Sequence, residues 1–162
     1  MASPKKTFSL ELADPESSSF RMEAWPFYWL ARVSRGYAFD MDVVLKRVGM
    51  DVARWRVLMI LTEKHPASVS ELAYHAVLKL STMTKTVQRL EADGLVSTAS
   101  KASDARVTEV SLTPAGEDAV SRVRSQAGRV FRQAFEGFDA KEIAALNSVL
   151  RRIHDNLETI PG

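Results

Sequence analysis

The chain has 162 residues, of which 46% are hydrophobic and 26% charged, a composition typical of a soluble globular protein with one domain or two small ones. The formal net charge is only +2, so a nucleic-acid partner has to be argued from the local distribution of charge. The sequence contains no cysteine, which excludes disulfides, thiolate zinc sites, cysteine nucleophiles and thiol-based redox sensing. It shows neither a membrane-length apolar run nor a signal-peptide core, so we expect a cytoplasmic protein.

Sequence motifs for catalysis or cofactor binding are missing. The histidines, His65, His75 and His154, lie far apart and form no HExxH pair or acidic cluster. The chain also has no GxGxxG, P-loop or GxSxG motif. We therefore expect no enzyme activity, no cofactor and no metal site.

The N-terminal third of the chain predicts an arm followed by helices. Residues 1–20 mix Ser, Pro, Lys and acidic residues without periodicity and are expected to form a flexible arm. Apolar side chains at helical spacing then predict a long helix over Pro26–Val48, with Gly49 as its stop. Asp51 is the predicted N-cap of a second helix, which ends before Pro66.

The middle of the chain predicts a helix–turn–helix. Ser68 and Glu71 have the spacing of a capping box, which predicts a third, short helix through about Ala76. A fourth helix is predicted from near Ser81 to a stop at Gly94.

A hairpin and two helices complete the predicted order. Alternating apolar residues indicate strands over Val96–Ser100 and Val107–Leu112, joined by a polar tip over Lys101–Arg106. A fifth helix is expected from Pro114 to about Phe135. A last helix, capped by Asp139 with Glu142, is expected to run to about Leu157.

This order predicts a mainly α fold with a small β wing. Residues 51–113 form a winged helix–turn–helix DNA-binding domain in this interpretation, and residues 21–50 and 114–162 form a helical dimerisation region. The long terminal helices carry more apolar surface than one small domain can cover, which favours a homodimer. The alternative is that these helices pack only within one subunit.

The fourth helix is the predicted DNA-reading element. Leu80, Met83, Val87 and Leu90 fall on one face, which we expect to be the core. The other side carries a stripe of polar residues without an acid, although Glu91 and Asp93 follow at the C-terminal end. Polar side chains without an acid suit contacts to phosphates and base edges in the major groove. These candidate DNA-binding residues are Ser81, Thr82, Thr84, Lys85, Gln88 and Arg89. The alternative is an ordinary solvated helix face.

The hairpin tip supplies further candidate DNA-binding residues. Lys101 and Arg106 flank Asp104, and a basic tip beside a recognition helix can place an arginine in the minor groove. Asp104 is expected to accept hydrogen bonds from Arg106 and fix its conformation. The alternative is an ordinary turn with exposed charges.

These residues resemble a known family. DARVTEVSLTPAG resembles the DxRxxxVxLTxxG wing signature of the MarR family of bacterial transcription regulators, and LEADGLV, WRVLMIL and VSELA also match its pattern. The resemblance covers roughly residues 25–157. It implies a homodimer that binds a pseudopalindromic DNA operator, usually as a repressor released by a small ligand. It also implies that Arg106 enters the minor groove and that Asp104 orients it.

The resemblance further implies an effector pocket between the dimerisation helices and the DNA-binding lobe. Aromatic walls with a guanidinium suit a phenolic or other aromatic carboxylate, or its coenzyme A thioester. The candidate ligand-binding residues are Trp25, Tyr28, Trp29, Arg32, Arg35, Trp55 and Met59. Two alternatives remain: these side chains form dimer core and ion pairs, or the whole chain is a winged-helix protein-interaction module without DNA binding.

Overall fold

The protein is built mainly from helices, with one small sheet. The computed structural model describes residues 9–158. Its helices are α1 (Leu10–Ala13), a 3₁₀ helix (Met22–Ala24), α2 (Pro26–Lys46), α3 (Val52–Leu61), α4 (Val69–Ala76), α5 (Leu80–Ala92), α6 (Pro114–Ala134) and α7 (Ala140–Glu158). Its strands are β1 (Ala67–Ser68), β2 (Val96–Lys101) and β3 (Asp104–Leu112). The predicted fold class, mainly α with a small β wing, is confirmed.

The predicted helix caps are present. The Asp51 carboxylate accepts a hydrogen bond of 2.9 Å from a backbone N–H in the first turn of α3. Ser68 and Glu71 form the reciprocal capping box of α4. Asp139 and Glu142 bond each other's backbone N–H groups in the same way, at 2.9 and 2.8 Å. Each pair satisfies N–H groups that a helix leaves without partners in its first turn.

The helix stops are also as expected at two glycines. Gly49 and Gly94 have φ values of 67° and 71°, which a residue without a Cβ adopts at little cost. The helix α4 does not end at a glycine. Its last turn is closed by Val77, which takes the same left-handed conformation as the two glycines, with a φ of 54°. The ends of α2 and α5 lie within two residues of their predicted positions.

The wing sheet is larger than the sequence predicts. Its strand order is β1-β3-β2, all antiparallel, and Ala67 pairs with Val110 while Val96 pairs with Leu112. The strand β1 is not predicted, because two residues carry no detectable periodicity. The other strands extend to Lys101 and from Asp104, so the hairpin turn is shorter than expected.

The chain divides into two compact units, one ending at Ala127 and one beginning at Gly128, within α6. The first unit contains the winged helix and its core, which includes Met41, Leu45, Val57, Leu58, Leu61, Leu72, Met83, Leu90 and Val110. In the second unit, α7 has no buried residue. Across residues 9–158 no helix combines the length and apolarity needed to cross a bilayer.

One local expectation needs correction, and the predicted arm shows some local structure. Leu80 was expected in the core with Met83, but it is 54% exposed because it is the first residue of α5, before the helix packs against its neighbours. The predicted flexible arm contains secondary structure in its described part. Residues 9–20 include α1, and the Arg21 N–H donates to the Leu12 carbonyl at 2.8 Å. Residues 1–8 lie outside the described residues.

Candidate nucleic-acid interface

The helix α5 presents a polar face that carries no acid from Ser81 to Arg89. Glu91 follows in the last turn, where its Oε1 accepts hydrogen bonds from the Thr98 N–H and hydroxyl. Its buried side comprises Met83, Thr86, Val87 and Leu90. Every α5 residue assigned to DNA from the sequence is exposed, namely Ser81, Thr82, Thr84, Lys85, Gln88 and Arg89. The hydrophobic period of the helix produces this separation, since the apolar positions recur every three to four residues.

A cleft lies between α5 and the wing, defined here as β2, β3 and their turn. The cleft has a volume of about 420 Å³. Its α5 lining includes Leu80, Thr84, Gln88 and Glu91, and its wing lining includes Arg106 and Thr108. Two parts of the molecule that were predicted separately therefore share one concave surface.

The wing holds Arg106 in a defined position. Arg106 and Asp104 are two residues apart on β3, so their side chains leave the strand on the same face. Arg106 Nε and Nη2 donate to the two Asp104 carboxylate oxygens at 3.1 and 3.2 Å. These bonds, with the Arg106 backbone N–H, lower the pKa of Asp104, which stays ionised at neutral pH. The expected hydrogen bonds are present, and the Arg106 side chain remains 90% exposed.

Lys101 ends β2 beside a different carboxylate. Its Nζ lies 3.7 Å from Glu109 Oε1, and its side chain is about half exposed. This loose contact leaves the ammonium accessible from solvent.

Arg89 is held differently from the other α5 residues. Its Nη2 donates to Asp51 Oδ2 at 3.1 Å, although the Arg89 side chain is 62% exposed. Asp51 also accepts from Arg54 Nε at 3.1 Å, and Arg54 Nη1 donates to Asp93 at 2.6 Å. These four charges join the start of α3 to the last turn of α5.

The pKa of Asp51 reflects this cluster. Burial acts to raise the pKa, but the hydrogen bonds and charge of Arg54, together with the charge of Arg89, lower it below its ordinary value. Sequence reasoning missed Arg54 and Asp93. The three-residue spacing of Asp51 and Arg54 at the start of one helix could have predicted their ion pair. Asp93 lies 39 residues from Arg54, so no local spacing predicts that contact.

The end of α5 is also bonded to the start of α6. Thr113 Oγ1 donates to the Gly94 carbonyl at 2.7 Å and accepts from the Gly116 N–H at 3.0 Å. The Thr113 N–H donates to the Leu95 carbonyl at 3.2 Å. A Cβ on Gly116 would overlap the Leu95 carbonyl oxygen, so only glycine fits there. The LTPAG segment therefore fixes the turn that follows α5.

Comparison with known proteins identifies this arrangement. A sequence model described as the MarR family matches residues 51–108. The HTH-type transcriptional repressor IacR of Pseudomonas putida is 44% identical over 91% of this chain and 88% of its own length. The chain belongs to the MarR family. It is accordingly a transcription regulator and not an enzyme.

Other MarR-family relatives agree with this assignment. The homoprotocatechuate degradative operon repressor of Escherichia coli is 29% identical over 74% of this chain and 83% of its own length. A crystal structure of a MarR-family transcriptional regulator from Silicibacter pomeroyi has a TM-score of 0.78 and 25% identity, covering 88% of this chain and 96% of its own.

The candidate effector residues differ in solvent exposure. Trp25, Tyr28, Trp55 and Met59 are half-buried, whereas Trp29 and the two arginines are exposed. The Arg32 guanidinium lies over the Tyr28 ring, 5.3 Å from its centre, and Trp29 Nε1 donates to the Glu23 carbonyl at 2.8 Å.

A shallow cleft of about 480 Å³ lies beside Arg32 and Arg35, and its other lining residues are Gly36, Phe39 and Asp40. None of the aromatic candidates is among them. The structure therefore brings the two arginines together but does not place the whole predicted set around that cleft.

The histidines have structural neighbours. His65 Nδ1 accepts the Leu112 N–H at 3.3 Å. His154 Nε2 lies 3.4 Å from Glu158, an acidic side chain one helical turn away on α7. Within residues 9–158, no three His, Cys, Asp or Glu side chains are grouped as a metal site would require.

Proposed function

We propose that this MarR-family protein is a homodimeric repressor that binds a pseudopalindromic operator and is released by a small aromatic carboxylate or its coenzyme A thioester. The observation that carries the DNA-binding part is the shared surface of α5 and the wing. The α5 face from Ser81 to Arg89 carries no acid, and it stands beside an arginine that is 90% exposed yet held by two hydrogen bonds. A side chain ordered before binding loses less conformational entropy when it enters a groove.

The roles of the individual residues follow from their positions. Lys85 and the hydroxyl groups of Ser81, Thr82 and Thr84 would contact phosphates or base edges, and Gln88 would pair with adenine. Arg106 would enter the minor groove, where the potential is most negative. Lys101, and Arg89 if it leaves Asp51, would contact phosphates.

The apolar face of α7 supports the homodimer. Leu146, Val149 and Leu157 are 42 to 50% exposed, and Ile143 and Ile153 are only half-buried. These positions recur at helical spacing, so they form one stripe. A 19-residue amphipathic helix with no buried residue lacks a covering surface, and a second copy of the chain would supply one. Two α5 helices about 34 Å apart would then face successive major grooves.

The effector is supported by the aromatic and basic residues of α2 and α3. Arg32 and Arg35 supply guanidinium groups that bind a carboxylate with paired hydrogen bonds. The Escherichia coli relative is named as the repressor of the homoprotocatechuate degradative operon, and homoprotocatechuate is an aromatic acid. Release requires the effector to bind the free dimer more tightly than the DNA-bound dimer, for example by changing the distance between the two α5 helices.

Duplex binding by Arg106→Ala tests the DNA interface. Affinity is measured by fluorescence anisotropy at several salt concentrations, on a duplex that the wild type selects from a random pool. We expect weaker binding and a salt slope smaller by about one for each wing. Lys46→Ala removes the same charge from the end of α2 and serves as the matched control, with wild-type affinity expected. A wild type that binds no duplex would instead favour the protein-interaction module.

Tryptophan fluorescence tests the effector site. The chain has three tryptophans, and all of them, Trp25, Trp29 and Trp55, are candidate effector residues. Benzoate, homoprotocatechuate, a phenolic cinnamate and its coenzyme A thioester are titrated into free and duplex-bound protein. We expect at least one compound to change the fluorescence and lower duplex affinity, and Arg32→Ala to weaken both effects. Unchanged duplex affinity with every compound contradicts the effector proposal.

Sedimentation tests the homodimer. The wild type is expected to sediment with twice the chain mass, and Leu146→Asp with the mass of one chain. Leu146 is already 42% exposed, so the substitution should leave the fold of one chain intact. A monomeric wild type would show that the terminal helices pack only within one subunit.

A further inference from the structure

Val77 has a backbone conformation that its side chain disfavours. It ends α4 with φ 54° and ψ 51°, the left-handed region. Among residues 9–158, Val77 alone of the non-glycine residues has a positive φ. A β-branched side chain crowds its own backbone in this region, which is why glycine or asparagine is usual there. The turn itself therefore gives no reason for valine.

Packing gives no reason for valine either. The Val77 side chain is 84% exposed, more than any other large apolar residue in the described part of the chain. The neighbouring Leu78 is half-buried and so supplies the apolar contact that often accompanies such a helix end. A strained residue that buries nothing suggests a function outside the folded chain.

Leu80 is a second exposed apolar residue, close to Val77 in the chain. It is 54% exposed at the first position of α5, three residues after Val77. It also lines the cleft with Thr84, Gln88 and Arg106. Two exposed apolar residues therefore bracket the start of α5, Val77 in the turn before it and Leu80 as its first residue.

We propose that Val77 and Leu80 form an apolar reading edge that contacts thymine C5-methyl groups. Thymine is distinguished in the major groove by this methyl group, and apolar side chains recognise it by excluding water. The N-terminal residues of a recognition helix are those that reach base edges. This inference rests on the proposed DNA binding and adds a specificity: each half-site contains a thymine that is read without a hydrogen bond.

Deoxyuridine substitution tests the proposal, because uracil differs from thymine only by lacking the methyl group. A duplex is selected by the wild-type protein from a random pool, and each thymine is replaced in turn by deoxyuridine. We expect one position in each half-site at which the wild type loses about fourfold in affinity, or about 15-fold with both half-sites substituted.

Three variants connect this loss to the two residues. Val77→Gly, Val77→Asn and Leu80→Ala should bind the methylated duplex more weakly and lose discrimination between thymine and uracil at that position. Val77→Gly also relieves the backbone strain, so its Tm should rise by about 2–4 °C while its operator affinity falls. A higher Tm together with a lower operator affinity cannot arise from a damaged fold.

The outcomes separate this inference from the function on which it rests. If the wild type binds no selected duplex, the proposed function itself fails. If it binds with normal salt dependence but tolerates uracil everywhere, the reading edge is wrong while DNA binding stands. Variants that retain full duplex affinity and full discrimination likewise overturn it.

Discussion

Replacing Asp104 with asparagine separates two roles that a carboxylate beside DNA can have. As a bare negative charge, Asp104 would repel phosphates, so its neutralisation would strengthen binding. As the acceptor of hydrogen bonds from Arg106 Nε and Nη2, it orders a side chain that is 90% exposed. Asparagine keeps a similar size but loses the charge and one of the acceptor oxygens. The two roles therefore predict changes of opposite sign in the DNA affinity of Asp104→Asn.

The geometry indicates that the loss of order is the larger effect. Fixing a free arginine side chain costs up to about 1.5–2 kcal/mol, and ordering most of it, about 1.4 kcal/mol, corresponds to roughly tenfold in affinity for each wing. Removing a charge about 6 Å from a phosphate in water strengthens binding about threefold, and less at physiological salt. The net result is about threefold weaker binding for each wing. For a dimer we expect Asp104→Asn to bind about tenfold more weakly than the wild type.

The assay is anisotropy titration of the selected duplex at constant salt. Glu109→Gln is the matched control, since Glu109 lies on the same strand but contacts Lys101, 3.7 Å away, and not Arg106. We expect this control to bind as well as the wild type or slightly better. If Asp104→Asn strengthens binding as the control does, Asp104 does not position Arg106 and the reasoning is refuted.

Two further predictions concern stability. Because Arg54 holds the pKa of Asp51 below its ordinary value of 3.8, the stabilisation from the ionised carboxylate is present above that pH and is lost as the pH falls below it. Urea unfolding should show Asp51→Asn less stable than the wild type at pH 6, with a smaller difference at pH 3; an undiminished difference contradicts the ion-pair assignment. Gly116→Ala should lose about 1–3 kcal/mol or more in unfolding free energy, because its Cβ overlaps the Leu95 carbonyl oxygen. Gly36 lies in mid-helix with open space around its Cα, so Gly36→Ala should raise the unfolding free energy by about 0.5–1 kcal/mol. If the two alanine variants change stability equally, Gly116 is not needed for close packing.

Local chemistry made much of the fold predictable. A capping residue and its partner lie three positions apart, so the starts of α3, α4 and α7 can be located from Asp51, Ser68 and Asp139 alone. The pairing of Asp104 with Arg106 was predictable for the same reason, since alternate residues on a strand share a face.

Contacts between distant segments were not predictable in this way. Arg54 meets Asp93 across 39 residues, and Arg89 meets Asp51 across 38, and no periodicity indicates such pairs. The exposure of Leu80 was missed because helical spacing places it on the buried face without showing that packing begins one turn later. The predicted effector residues share α2 and α3, but their side-chain directions, which sequence does not give, leave only the arginines beside the cleft on α2.

The central claim is that α5 and the wing recognise a specific DNA sequence. Its most direct test is a competition experiment with the wild-type protein at physiological salt, in which the selected duplex competes against a scrambled duplex of equal length and composition. We predict that the selected duplex binds at least about 10³-fold more tightly. Equal affinity for the two duplexes would contradict the claim.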